Sequence, residues 1–352
     1  MSSSKSRIST RLTRLMRMTS RDDISLRLDD FLARWLPEVL GLEISRAQVR
    51  KLILGGAVYL SSRRMTQPQV ALREGTRVEV LVDVEKLKTP VQKKDQVFEL
   101  REEHILFEDS GLIAVNKPPG LPTQATLDPL RPHLYGCLQA FLKNREGREV
   151  YVGLHHRLDR DTSGVVLFTT DPDRNGSVSS LFSKHEAQKK YVALVALLPG
   201  SPLLTKQVGQ SWSMKNHLGK DPRSSSGKRT RFASLQKGGD FAHTDFTLLE
   251  RFGRFAWVEA YPRTGRTHQI RVHLSEQKAP ILGDDTYGET PEREVRAPAR
   301  TVEAARLMLH AACLTFPHPV SKVETAIVSP LPEDFQQCLQ NLRSLNLNAS
   351  SQ

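Results

Sequence analysis

The stretch His155-His-Arg-Leu-Asp-Arg-Asp-Thr-Ser-Gly164 sets one carboxylate, Asp159, between two guanidinium groups, Arg157 and Arg160. Opposite charge close by favours the ionised carboxylate, so Asp159 is expected to be an anion at neutral pH. Such an anion suits a nucleophile or a general base and suits a general acid poorly. The same composition also fits an ordinary turn, with a carboxylate solvated between surface arginines. Asp161, the nearest second carboxylate, shares a face with Asp159 only if a strand runs that far, and Thr162-Ser163-Gly164 point to a turn instead.

Other chemistries lack their residues. There is no Gly-x-Gly-x-x-Gly and no Walker-type Gly-Lys-Ser/Thr to cradle a phosphate. The histidines miss metal-helix spacing, and His155-His156 on a strand would point to opposite faces. The three cysteines, Cys137, Cys313 and Cys338, are odd in number and far apart, which fits free thiols in a reducing compartment. A carboxylate-dependent hydrolase would need a second carboxylate or a metal. Neither a metal nor a cofactor is expected.

Several elements must position the Asp159 stretch. A strand-like run (Tyr151, Val152, Leu154) delivers it, and Val165-Val-Leu-Phe168 carries the chain away. Upstream, Ile105–Asp109 and Ile113–Val115 read as strands, and Asn116-Lys-Pro-Pro-Gly120 breaks regular structure. Downstream, residues 177–186 read as a helix and 189–195 as a strand. Residues 214–231, rich in Lys, Arg, Ser and Gly, read as a mobile basic loop. Phe255–Tyr261 alternates like a strand, and a helix is expected over 267–276 with Ile270 and Leu274 facing the core. Arg271 lies between them; it reads as a surface charge, since burial would require a carboxylate partner. Strands, helices and breakers without strict βαβ alternation predict an α+β domain with a mixed sheet.

The chain has 352 residues, room for two or three domains, and a net charge of +12 despite 39 acidic residues. A basic excess on a mixed surface favours a polyanionic partner, nucleic acid first. No stretch approaches the ~18–20 apolar residues of a membrane span, so no membrane partner is expected. Residues 1–20 hold no acid and read as a basic, disordered arm. An Arg-rich organelle-targeting segment, or a true start at Met16 or Met18, are the alternatives.

From Ser25, a capped helix with Leu28, Phe31, Leu32, Trp35 and Leu36 inward is expected, ending at Pro37–Gly41. A second helix starts at Ser45, buries Val49, Leu52 and Ile53, and stops at Gly55-Gly56. Its other face carries Arg46, Arg50 and Lys51. A strand over 57–60, a turn holding Arg63 and Arg64, and a strand over 78–84 complete the module. The cationic face fits phosphate contact or plain solvation.

Arg27-Leu-Asp-Asp-Phe-Leu and Ile44-Ser-Arg-Ala-Gln-Val-Arg-Lys-Leu-Ile-Leu-Gly-Gly-Ala-Val58 resemble an S4-type RNA-binding domain, with Ser61-Ser62 where such domains turn through Asn-Gly. The remainder resembles the RluA-type pseudouridine synthases. His156–Gly164 matches the motif around their catalytic Asp, and Lys190-Tyr191-Val-Ala-Leu-Val their active-site Tyr segment. Thr264–Leu274, Pro280–Asp284 and Leu309-His310-Ala311 match their later motifs in order, over residues 101–335. Two departures are an insertion between Gly288 and Leu307, and Gly239-Asp-Phe-Ala-His-Thr244 where a Gly-Lys-x-Ala-x-Thr segment is usual.

The resemblance implies a mixed, largely antiparallel sheet with a central cleft, beside a small N-terminal S4-type module. With the compositional readings, it gives an arm over 1–20, the module over 21–84, a linker over 85–100, the catalytic domain over 101–336 and a polar tail over 337–352. It also implies an enzyme that isomerises uridine to pseudouridine without a cofactor, working in the cytoplasm as a monomer on RNA. Large-subunit rRNA of the 23S type is the first expected substrate and tRNA the second. A non-catalytic ribosome-assembly factor of the same fold is the alternative class. By resemblance Asp159 starts the reaction, Arg271 is its basic partner, Tyr191 packs on the flipped base and Arg157 fills the gap left in the RNA.

Overall fold

Residues 13–54, 56–65, 67–82, 84, 98–126, 132–222, 224, 230–288 and 304–349 are described by a computed structural model. Most of the expected linker and most of the insertion after Gly288 lie outside them. The chain divides into two units, residues 1–98 with 125–131, and residues 99–124 with 132–352.

In the first unit, β1 (Thr13–Met18), α1 (Leu28–Leu40), α2 (Arg46–Leu54), β2 (Val58–Leu60), β3 (Arg63–Met65) and β4 (Arg77–Val82) follow in order. The sheet runs β1-β4-β2-β3, and its neighbouring strands pair antiparallel. Residues 13–18 are therefore a strand and not part of a disordered arm. Thr13 lies opposite Val82 and Met18 opposite Arg77. The acid-free composition hid this strand because its ion partner is on β4: Arg14 reaches buried Glu79 at 2.6 Å, while Leu15 packs on the core. The apolar faces of α1 and α2 close over Val78, Val80 and Val82.

Three local expectations change. Ser25 does not cap α1; it has a φ of 66°, and Arg27 occupies the cap position without a side-chain bond. Pro37 sits inside the last turn, and Gly41, at φ 62°, ends the helix. Arg63 and Arg64 begin β3, so the turn is Ser61-Ser62, both left-handed at φ 46° and 73°. Ser45 does start α2, its hydroxyl and backbone N–H pairing with Gln48.

The second unit begins with β5 (Ile105–Asp109), β6 (Leu112–Lys117), α3 (Leu134–Glu146), β7 (Gly153–Leu154), β8 (Ser163–Thr169), α4 (Asn175–Ser183) and β9 (Gln188–Ala196). It continues through β10 (Ser211–Lys220), β11 (Phe232–Ser234), β12 (Asp240–Phe252), β13 (Phe255–Pro262), α5 (Gln269–Glu276), β14 (Leu309–Pro317), β15 (Glu324–Val328) and α6 (Glu333–Ala349). One sheet runs β11-β10-β12-β13-β9-β14-β8-β6-β5, with β15 on β14 and β7 on β8. Among the described residues only β14 and β8 pair in parallel, so the sheet is mixed and largely antiparallel, as expected of this α+β fold.

Two segments depart from expectation. Residues 214–220 are most of β10, which alternates Ser211, Ser213, Lys215 and His217 outward; half-buried polar strands resemble loops in composition. The expected polar tail is most of α6. Phe335, Cys338, Leu339 and Leu342 are buried at i, i+3, i+4, i+7 spacing beneath a polar face. No described helix is long and apolar enough to cross a membrane.

Candidate active site

Asp159 lies in the short loop between β7 and β8, and three contacts fix that loop. Leu158 is clamped by Thr123, whose hydroxyl donates to its carbonyl (2.9 Å) and accepts from its N–H (3.1 Å). Thr162 N–H closes the turn onto the carbonyl of Asp159 at 3.2 Å. Fully buried Lys117, at the end of β6, donates to the carbonyls of Pro118, Leu121 and Arg160 at 2.7–2.9 Å. Burial pushes its pKa down to about 7, yet three carbonyls need three N–H donors, which only the ammonium form supplies. We therefore assign Lys117 as charged at neutral pH. Gly164, at φ 119°, lets β8 meet β14: a Cβ there would overlap the carbonyl of Ala311.

Arg271 on α5 reaches the same place. Only 9% exposed, it is not the surface charge that its neighbours suggested. Its Nε and Nη2 donate to the two oxygens of Asp284 at 2.7 and 2.8 Å, and its Nη1 donates to Oδ2 of Asp159 at 3.2 Å. Burial disfavours the guanidinium charge, but Asp284 and then Asp159 more than offset it, and the net shift is upward. Asp284 is likewise penalised by burial; Arg271 and the N–H groups of Thr286 and Tyr287 more than compensate, and its pKa falls. His268, just before α5, places Nε2 3.8 Å from the same Oδ2 of Asp159.

Asp159, Arg271 and His268 line a cleft of about 460 Å³, with Tyr191 from β9, Phe182 from α4, and the turn Pro262–Thr267. Tyr191 is buried; burial first, and the charge of Asp159 second, push its phenol pKa well up, so it is a neutral phenol. Arg157, exposed at the cleft, donates Nη2 to Thr267 Oγ1 at 3.2 Å. Asp161 is turned away into a bidentate pair with Arg160 at 2.9 Å, so it does not join Asp159 as a second acid. No cluster of three or more potential metal ligands occurs among the described residues.

Residues 111–276 match the RNA pseudouridylate synthase family. An uncharacterized RNA pseudouridine synthase of Chloroflexus aurantiacus is 33% identical over 324 residues, 90% of each chain. The chain belongs to the RNA pseudouridine synthase family. The ribosomal large subunit pseudouridine synthase C of Buchnera aphidicola is 30% identical over 328 residues, 92% of this chain and 96% of that one. The structure of human RNA pseudouridylate synthase domain containing 4 superposes with a TM-score of 0.53 at 27% identity, covering 68% of this chain and 93% of that one.

In this pseudouridine synthase the cleft brings together Asp159, Arg271, Tyr191 and Arg157. The other five expected RNA-binding cations belong to the first unit. Arg46 pairs with Asp30 at 3.4 Å and Arg50 with Asp29 at 3.0 Å. Arg64 donates to the Gly56 carbonyl at 2.7 Å, and Arg63 is exposed. The side chain of Lys51 lies outside the described residues. Sequence reasoning gave no role to Lys117, Asp284 or His268. Lys117 was legible as a cation beside a Pro-Pro-Gly break, but the other two needed the fold.

Proposed function

We propose that this pseudouridine synthase acts on uridine in large-subunit ribosomal RNA, with Asp159 as the carboxylate that starts the reaction. The observation that carries the proposal is the asymmetric holding of Asp159: Arg271 donates to Oδ2, while Oδ1 accepts no hydrogen bond among the described residues. An oxygen left free at a cleft wall, on a carboxylate anchored from behind, is what an attacking or proton-accepting group requires. Support for the RNA class comes from the Buchnera relative, whose name specifies the ribosomal large subunit.

The target uridine must leave its stack to enter the cleft, at a cost of a few kcal/mol. Asp159 then either adds to the sugar or the uracil ring, or takes a ribose proton. The N1–C1′ bond breaks, the ring rotates, and a C5–C1′ bond forms as Asp159 is released from its adduct or returns the proton it took to the ribose. C5 loses a proton and N1 gains one, so the exchange is redox-neutral and requires no cofactor. Tyr191 packs its ring on the flipped base and offers a neutral O–H donor. Arg157 exchanges its Thr267 contact for the space left in the RNA. The first unit acts as an S4-type RNA-binding module, supported by the α1–α2 and hairpin arrangement and by its exposed arginines.

The test incubates the full chain, and its Asp159→Ala variant, with unmodified large-subunit rRNA transcript and with bulk unmodified tRNA. Pseudouridine is mapped by carbodiimide adduct stops in primer extension. Stops on the rRNA that vanish with the variant are expected. Stops on tRNA alone would overturn the substrate, and stops that persist in the variant would overturn Asp159.

A further inference from the structure

His268 has a φ of 58°, a left-handed backbone that a residue with a side chain adopts at some cost. Its ring is oriented from behind. Nδ1 lies 2.9 Å from the hydroxyl of Tyr287, and that hydroxyl accepts the backbone N–H of Phe232 at 2.9 Å. That N–H can only donate, and the hydroxyl has one proton of its own to give; Nδ1 is the acceptor that the described residues offer it, so we assign the proton of this bond to Tyr287. An imidazole accepting at Nδ1 carries its proton on Nε2. Burial favours this neutral ring, lowering the pKa of His268 against the opposing charge of Asp159. Nε2–H then faces Oδ2 of Asp159 at 3.8 Å, the oxygen that Arg271 already holds.

We propose that His268 is a positioning residue for Asp159: its Nε2–H, fixed there by Tyr287, joins Arg271 on Oδ2 and presents Oδ1 to the nucleoside. The proposal rests on Asp159 as the reacting carboxylate. The gap of 3.8 Å exceeds hydrogen-bond range and closes when substrate fills the cleft, as active-site contacts commonly tighten on binding. Two donors on one oxygen restrict rotation of the carboxylate more than Arg271 alone, whose other two contacts go to Asp284.

The experiment measures single-turnover pseudouridine formation by the full chain on unmodified large-subunit rRNA transcript, with the Kd for that transcript alongside. His268→Phe keeps a ring and loses the donor; its rate is expected to fall about tenfold or more with Kd nearly unchanged. His268→Gln restores an N–H at comparable reach and is expected to recover most of the rate. If the Phe variant does not fold, His268→Asn replaces it: Asn tolerates the left-handed backbone but stops short of Asp159. A donor-less variant at the wild-type rate, or a Gln variant as slow as the Phe variant, overturns the proposal. Asp159→Ala runs in parallel. If it stays active, the carboxylate assignment itself has failed; if it is inactive while His268→Phe is not, only the role of His268 has.

Discussion

Asp284 holds both sides of the Arg271 fork, Nε at 2.7 Å and Nη2 at 2.8 Å, and only the remaining Nη1 reaches Asp159. The guanidinium is thus anchored by one carboxylate in order to orient another. The two carboxylates differ in environment: the Asp284 side chain is fully buried, whereas that of Asp159 is 29% exposed at the cleft. Asp284→Ala leaves a buried cation with two of its three contacts unmade and is expected to cost about 3–5 kcal/mol of stability. Asp159→Ala leaves the Arg271–Asp284 pair intact and is expected to abolish activity at a cost of about 1 kcal/mol or less. Urea unfolding of the two variants checks the contrast, and equal destabilisation would refute it.

Tyr191 is held as a neutral phenol by burial and by the nearby charge of Asp159. As the proposed ring surface with an O–H donor, it should tolerate Tyr191→Phe with a loss of about tenfold or less, while Tyr191→Ala loses far more. The pH–rate profile should show no rise near pH 10, where an ordinary phenol ionises. An alkaline rise present in wild type and absent from Tyr191→Phe would identify a phenolate base instead.

Two buried histidines, His273 and His310, tie the site to its supports. His273 bridges Thr244 and Asn216 at 2.9 and 2.8 Å, and His310 bonds Ser163 at 2.9 Å. Burial lowers both from 6.5 to about 4. Between those values the unfolded chain binds protons that the native state refuses, so stability falls as pH drops from about 6.5 towards 4. Each contributes on the order of 1–3 kcal/mol over that window. The melting temperature should fall on this acid side, and His310→Gln should flatten the slope by roughly one proton. A melting temperature constant from about pH 7 to about 4.5 would disprove the linkage.

Local pattern located most of the helices and strands, because apolar periodicity survives without knowledge of partners. It gave no element for α3, β12, β14 or β15, and it missed long-range pairings. Arg271 read as a surface charge because its partners are 13 and 112 residues away in sequence. Residues 13–18 read as an arm because strand β1 depends on the edge of β4. Ser61 and Ser62 carry no local hairpin signal, and only the S4-type resemblance put the turn there; their left-handed conformations suit Asn-Gly better and are sustained by the strands on either side. In α6 the period was present, but the polar composition concealed it.

The arginines of the first unit should separate into two kinds. Arg50 bonds Asp29, whose side chain is 7% exposed and also takes Arg27, so it has a structural partner to lose. Arg63 is exposed, and its side chain has no partner among the described residues. If this unit binds RNA phosphates, Arg63→Ala should leave the melting temperature unchanged and weaken binding. It should also reduce the slope of log K against log salt by about 0.7–0.9, the share of a single phosphate that the arginine no longer neutralises. Arg50→Ala should instead lower stability by about 1–2 kcal/mol, because a mostly buried carboxylate loses a donor. Salt titrations of binding to the rRNA transcript, paired with melting curves, check both. A full-length Arg63→Ala protein with the wild-type slope would remove Arg63 from the RNA surface and leave the strand it starts, β3, with a purely structural role.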